Sequence, residues 1–214
     1  MRALILDAGN TNLKVAVIEE GKLKFLAISS YSFAENLKVP YYKFGILVST
    51  VKRLNSTLTH LFPRTFVLSP KDLNLRSEYS LDLVGADRIA ASYPFLKLKR
   101  DAILIISGTA ITINVIKDGV FYGGPIFPPF SNMKTSYGIL AISGVRGDTE
   151  RAMNAAIEGM FFGGLVQIVK DLKKTYKIRE VFVSHDLPYK IPGAKRIKYP
   201  VIFGAHTLLL DILS

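Results

Sequence analysis

Eight residues near the start of the chain, Asp7-Ala8-Gly9-Asn10-Thr11-Asn12-Leu13-Lys14, combine group types that suit phosphate. A glycine in a tight turn lets backbone N–H groups approach a phosphate with no Cβ in the way, and the Asn10 amide and Thr11 hydroxyl add donors. Lys14 adds a positive point charge for the same oxygens. Asp7 has the wrong sign for touching phosphate but the right one for holding Mg2+, usually through water. Farther along, Gly85-Ala86-Asp87-Arg88 opens a helical pattern. An acid there also suits the helix dipole alone, with the arginine as a surface residue. The chemical reading makes Asp87 a base and Arg88 an anion clamp. Phosphoryl transfer to an alcohol asks for little more than charge neutralisation, in-line positioning and a carboxylate that accepts the hydroxyl proton.

Apolar residues 3–6 and the β-rich run 13–18 place Gly9-Asn10-Thr11 in a turn between two strands, and Glu20-Gly21 leads into a third strand near 22–28. A buried strand is predicted at 44–49, a helix at 52–62, a strand at 65–68 and a helix from about Asp87. From Ala102 the opening pattern recurs: apolar strand, glycine turn at Gly108-Thr109, alternating strand, then Asp118-Gly119. Placing Gly108 on Gly9 sets Asp118-Gly119 within a residue of Glu20-Gly21, so the halves read as copies. A long helix from 149 to about 177, a strand at 181–184 and a last amphipathic helix from about 203 to 213 complete the pattern. The expectation is an α/β chain of two lobes, 1–98 and 99–202, with helix 203–214 returning to the first. Each lobe offers one glycine turn to a cleft between them.

Composition narrows the function classes. With no cysteine there is no disulfide, thiolate metal site or thiol nucleophile. His60, His185 and His206 are scattered and read as structural or surface residues. No apolar run approaches the roughly 18 residues of a membrane span. The first residues reach the charge of Asp7 before a signal core could form, so a cytoplasmic address is expected. The 28 Lys and Arg against 17 Asp and Glu give a net charge of +11, which suits anionic substrates or nucleic acid. The basic residues are spread through several segments, which favours a solvated basic surface over a nucleic-acid footprint.

Taken together, Asp7-x-Gly9-Asn10-Thr11-x-x-Lys14, Gly85-x-Asp87-Arg88, Gly108-Thr109-Ala110-x-Thr112, Gly123-Gly124-x-Ile126-x-Pro128 and Asp148-Thr149-x-x-Ala152 resemble type III pantothenate kinase in order and spacing over about residues 2–165. The resemblance implies a duplicated ribonuclease H-like fold of the actin-like kinase superfamily and a homodimer. It also implies ATP-dependent phosphorylation of pantothenate to 4′-phosphopantothenate, the first step of coenzyme A synthesis. On matching positions, Asp7, Gly9, Asn10, Thr11 and Lys14 would bind ATP phosphates and Mg2+, with Gly108 and Thr109 contacting ATP from the second turn. Gly85, Ala86, Asp87 and Arg88 would bind pantothenate, Asp87 taking its proton, and Tyr79 and Thr149 would reach the substrate.

Three positions depart from the family pattern. Ile106 stands where an aspartate usually helps hold a monovalent cation such as K+ or NH4+; Asn114 stands where another aspartate usually closes the next strand; Pro128-Pro129 replaces a usual Pro-Gly. An isoleucine cannot coordinate a cation. Two alternatives therefore stand beside the kinase: a catalytically weakened nucleotide-binding homologue acting as a regulator or partner protein, and a related kinase for another small alcohol.

Overall fold

The computed structural model describes residues 2–128 and 148–213, with the side chains of residue 33 and residues 148–158 left aside. Pro129 and the side chain of Thr149 lie outside that description. Strands β1 (Arg2–Ala8), β2 (Leu13–Glu19) and β3 (Lys22–Ser29) form an antiparallel meander. Its second turn is a tight one in which Glu20 and Gly21 both take positive φ, 51° and 75°. Strand β4 (Phe44–Ser49) then pairs parallel to β1, and β5 (Thr65–Val67) parallel to β4, giving the order β3-β2-β1-β4-β5. Between them stand a 3-10 turn, Lys52–Leu54, and α1 (Asn55–Leu61). Helix α2 (Ala86–Lys97) closes this half.

The second half repeats the plan. Strands β7 (Ala102–Ser107), β8 (Ile111–Lys117) and β9 (Val120–Gly123) form a meander whose Asp118-Gly119 turn has φ of 52° and 72°. The middle strand of each meander carries an irregularity in register, at Val15/Ala16 and Val115/Ile116. Helix α3 (Asp148–Tyr176) precedes β11 (Val181–Ser184), parallel to β7, and β12 (Lys195–Ile197), parallel to β11. Helix α4 (Pro200–Leu213) ends the chain. Two short strands join this sheet: β10 (Ile126–Phe127) against β8, and β6 (Arg76–Ser77), which leaves the first half to pair with β9. The repeated order, a meander with two parallel strands added beside its first strand, is the duplicated ribonuclease H-like fold expected from the sequence.

Helices α2 and α4 lie between the sheets. Their apolar faces share one core with Ile5, Ile46 and Val48 of the first sheet and Leu104, Ile106 and Phe182 of the second. Gly204 makes the crossing possible: a Cβ there would stand 1.7 Å from the Ala90 carbonyl oxygen. Helix α4 also packs on β1, β2 and β4 of the first sheet. Tyr93 and Lys97 of α2 both hold Asp211 of α4, the tyrosine at 2.9 Å. The outer faces of the sheets have their own cores, α1 covering the first and α3 the second. Burial on both faces explains why β1, β4, β7 and β11 run apolar rather than alternating. Among the described residues no helix is long and apolar enough to cross a membrane.

Candidate active site

Both glycine turns open at the carboxyl end of the first strand of a meander, where parallel sheets leave a crevice. In the first, Asp7 pairs with Lys14 and Ala8 with Leu13, so residues 9–12 form the loop. The Gly9 N–H donates to the Asn12 carbonyl at 3.1 Å, the Tyr31 hydroxyl donates to the Gly9 carbonyl, and Thr50 donates to the Ala8 carbonyl through both its N–H and its Oγ1. In the second, Ser107 pairs with Ile111, and the Gly108 N–H donates to the Ala110 carbonyl at 3.0 Å. Neither Gly9 nor Gly108 has positive φ, and a Cβ on either would meet protein no closer than 3.6 Å. Folding alone does not demand glycine at these two positions. The open space above them belongs to whatever fills the cleft.

Asp7 is 5% exposed, and its Oδ2 lies 3.3 Å from Lys14 Nζ. Burial pushes its carboxyl up to about 6; Lys14 pulls it back down, while the charges of Asp87 and Asp186 push it further up. At the matching point of the second hairpin, Ile106 (8% exposed) faces Thr112 across the strands. The ion pair of the first turn is thus replaced by an apolar side chain and a hydroxyl. The Thr112 Oγ1 is buried with no hydrogen-bond partner.

The third component sits at the start of α2. Gly85 is the N-cap, and a Cβ there would meet Asp87 Oδ1 at 2.5 Å, so glycine lets the carboxylate fold back over the helix end. Burial raises the Asp87 carboxyl above the usual range, against the lowering influence of its own and the Arg88 backbone N–H, the Arg88 charge and Lys14. A carboxylate whose affinity for protons is raised by burial suits a proton acceptor.

One cleft of about 590 Å³ gathers these groups: Asp7, Gly9, Asn10, Thr11 and Lys14 from the first turn, Gly108 and Thr109 from the second, Asp87 from α2, and Ile106 between them. Arg88 takes a different place from the one its neighbour suggested. Its Nε donates to Asn114 Oδ1 at 2.6 Å, and its Nη2 donates to the carbonyls of Ile113 and Gly124 at 3.2 and 3.3 Å. Tyr79 joins it there, its ring so close over Gly123 that a Cβ on that residue would stand 2.7 Å from Cε2. Gly85 and Ala86 precede Asp87 in the chain, and Tyr79, Gly85, Ala86 and Arg88 are not among the residues that line the cleft. Asn114, 0% exposed, meets Arg88 as a neutral acceptor. Among the described residues no carboxylate is in salt-bridge distance of Arg88.

Asp186 lines the same cleft and was not foreseen. It follows β11, in the bend Ser184-His185-Asp186, whose composition has no glycine to announce a ligand loop. The available signal was positional: an acid just past a strand parallel to the one that bears the second turn. Thr50 and Tyr31, which brace the first turn, sit in segments with no motif at all.

A family model for type III pantothenate kinase matches residues 3–138. The chain belongs to that family. Among curated members, the type III pantothenate kinase of Thermosipho melanesiensis is 33% identical over 148 residues, covering 61% of this chain and 60% of its own. That of Kosmotoga olearia is 30% identical over 152 residues, covering 58% and 57%. The chain thus spans less than two thirds of the length of these relatives. A solved structure from Campylobacter jejuni, described as of the Baf family of transcriptional activators, matches 98% of both chains at 20% identity with a TM-score of 0.66, a likeness of fold. The matched family region takes in both glycine turns and the Gly85–Arg88 segment.

Proposed function

We propose that this chain phosphorylates pantothenate to 4′-phosphopantothenate with ATP, in the first step of coenzyme A synthesis. The observation that carries the reading is the opening of Asp87, at the head of α2, into the same cleft as the two glycine turns. The turns receive the phosphate chain, Lys14 neutralises part of its charge, and Asp87 takes the proton of the acceptor hydroxyl as its oxygen attacks the terminal phosphorus. Arg88, Tyr79 and Thr149 belong to the acceptor end. The Arg88 charge, met by a neutral Asn114 and two carbonyls, is complemented by the carboxylate of pantothenate.

Mg2+ fits the donor set present. Among the described residues no group of three or more acidic or histidine side chains could hold a metal ion. Asp7 would contribute one carboxylate, with waters and phosphate oxygens supplying the rest, the arrangement Mg2+ prefers. Bound there, the ion would neutralise charge on the phosphates. The monovalent-cation site does not fit, because Ile106 and Thr112 offer no anionic oxygen where the family usually has an aspartate. We assign the reaction no K+ or NH4+ step. The lobes are taken as 1–98 and 99–202 with the last helix returning to the first, and the working form as a cytoplasmic homodimer. Incubating the purified protein with ATP, Mg2+ and pantothenate should yield 4′-phosphopantothenate without added K+. ATP binding without product, with or without K+ or NH4+, would instead make the chain a nucleotide-binding homologue.

A further inference from the structure

We infer that Asp186 receives the ribose hydroxyls of the donor nucleotide and so selects ribonucleotides; the inference rests on the kinase reading above. Strand order supplies the direction. In the second sheet β7 lies between β11 and β8. Arg88, reaching Ile113 and Asn114 of β8 and Gly124 after β9, marks the acceptor side of the Gly108 turn. Asp186, just past β11, stands on the other side of that turn. A triphosphate whose terminal group faces Asp87, and whose chain crosses the turns, carries its nucleoside toward β11. Strand β3 reaches this side, Phe25 stacking on Tyr199, whose ring meets His185 edge-on, and the apolar Ile28 and Val201 line the cleft together with Asp186. Ile28, half exposed, offers an apolar surface to a base, and a carboxylate accepts hydrogen bonds from a pair of sugar hydroxyls.

The bend that carries Asp186 is held rigidly. Arg196 of β12 donates from Nη1 to the carbonyls of His185 and Leu187, at 2.7 and 2.9 Å, and from Nη2 to that of Tyr189 at 3.0 Å. The Leu187 N–H closes on the Ser184 carbonyl at 3.2 Å. Ser184 Oγ accepts from the Ser107 N–H at 2.8 Å, tying this bend to the second glycine turn. Among the described residues the Asp186 carboxylate makes no hydrogen bond or ion pair with protein, while the backbone on either side of it is pinned. An exposed acid in a cleft for a polyanion repels the phosphates unless a donor on the ligand compensates it. A nucleotide has such donors in its sugar hydroxyls and in the amino group of its base, and the vicinal pair of hydroxyls matches the two oxygens of a carboxylate.

The test is calorimetric titration of the full chain with ATP and with 2′,3′-dideoxy-ATP, each with Mg2+, for the native protein and for Asp186→Ala and Asp186→Asn. The native protein should bind ATP about 10-fold or more tighter than the dideoxy analogue, the typical worth of hydrogen bonds to a charged group. Asp186→Ala should bring ATP down to the level of the analogue while leaving the analogue's affinity unchanged or higher; Asp186→Asn should fall between. Equal weakening of both nucleotides would reassign Asp186 to the metal or to the fold, and equal native affinities or tighter ATP binding by Asp186→Ala would also overturn the inference. Unchanged thermal unfolding of the variants separates ligand effects from folding effects. Ribose discrimination with no phosphorylation of pantothenate would sink the substrate assignment alone; absence of any nucleotide binding would sink both.

Discussion

At the end of β1, Asp7 faces Lys14 across the strand pair; at the same point of β7, Ile106 faces Thr112. The backbones around these pairs are alike, each with a glycine N–H closing onto a carbonyl two or three residues ahead. The side chains differ in kind. One copy of the duplicated hairpin keeps an ion pair, to which we assign the phosphates and their metal, while the other keeps the shape of the turn without the charge. Burial of an acid is costly unless something compensates it, and the raised Asp7 carboxyl shows that Lys14 compensates it only in part. The neutral copy packs Ile106 into the central core, with α2 and α4.

The turn glycines offer the most severe way to break this comparison. Gly9→Ala should fold normally, since a Cβ meets protein no closer than 3.6 Å, yet weaken ATP binding by roughly 10²-fold through displacement of the phosphates. Gly108→Ala should cost less, because no charged group shares its turn. Equal losses in a side-by-side titration would mean that the two turns carry the phosphates equally. A second way uses pH. The ordinary Asp7 value of 3.8 rises to about 6 in the folded chain, so between those values the folded state binds more protons than the unfolded one. Stability therefore falls as pH rises through that window, by about 3 kcal/mol, and is level above it. Asp87, raised in the same direction, adds to the slope. Denaturant unfolding of the metal-free protein from pH 4 to 8 should show this decline, and Asp7→Asn should flatten a large part of it.

The mildest manipulation rebuilds the lost pair. Ile106→Asp should lower stability by about 1–3 kcal/mol, because the new carboxylate is buried opposite a hydroxyl rather than a lysine. Adding Thr112→Lys should restore part of the loss by recreating the partnership of Asp7 and Lys14. Ile106→Asp alone should also make activity or thermal unfolding respond to K+. A double variant no more stable than the single one would show that the two hairpins differ in more than these side chains.

Much of this was legible in the sequence because the signals were local. The alternation of apolar runs and Gly-bearing turns located both meanders, and β4 and β11 matched their predicted spans at 44–49 and 181–184. The predicted helix at 52–62 instead opens with a 3-10 turn, and the last helix starts at Pro200, a residue well suited to a first helical position. Strands as short as β6, β10 and β12 have no periodicity to read; they exist because a neighbour offers unpaired backbone groups. Asp7, Lys14, Asp87 and the two turns were expected together and do share a cleft. The destination of Arg88 was hidden because it depends on Asn114, Ile113 and Gly124, 25 to 36 residues away. Asp186 was hidden for the same reason, its meaning resting on which strand lies beside β7.

Asp87, the carboxylate at the head of α2 that lines the cleft with both turns, carries the proposed reaction. The direct measurement is the rate of 4′-phosphopantothenate formation by native protein and by Asp87→Asn at saturating ATP and Mg2+, with ATP affinity measured in parallel. The prediction is a fall in turnover of roughly 10²-fold or more with ATP affinity nearly unchanged. Turnover equal to that of the native protein would contradict it.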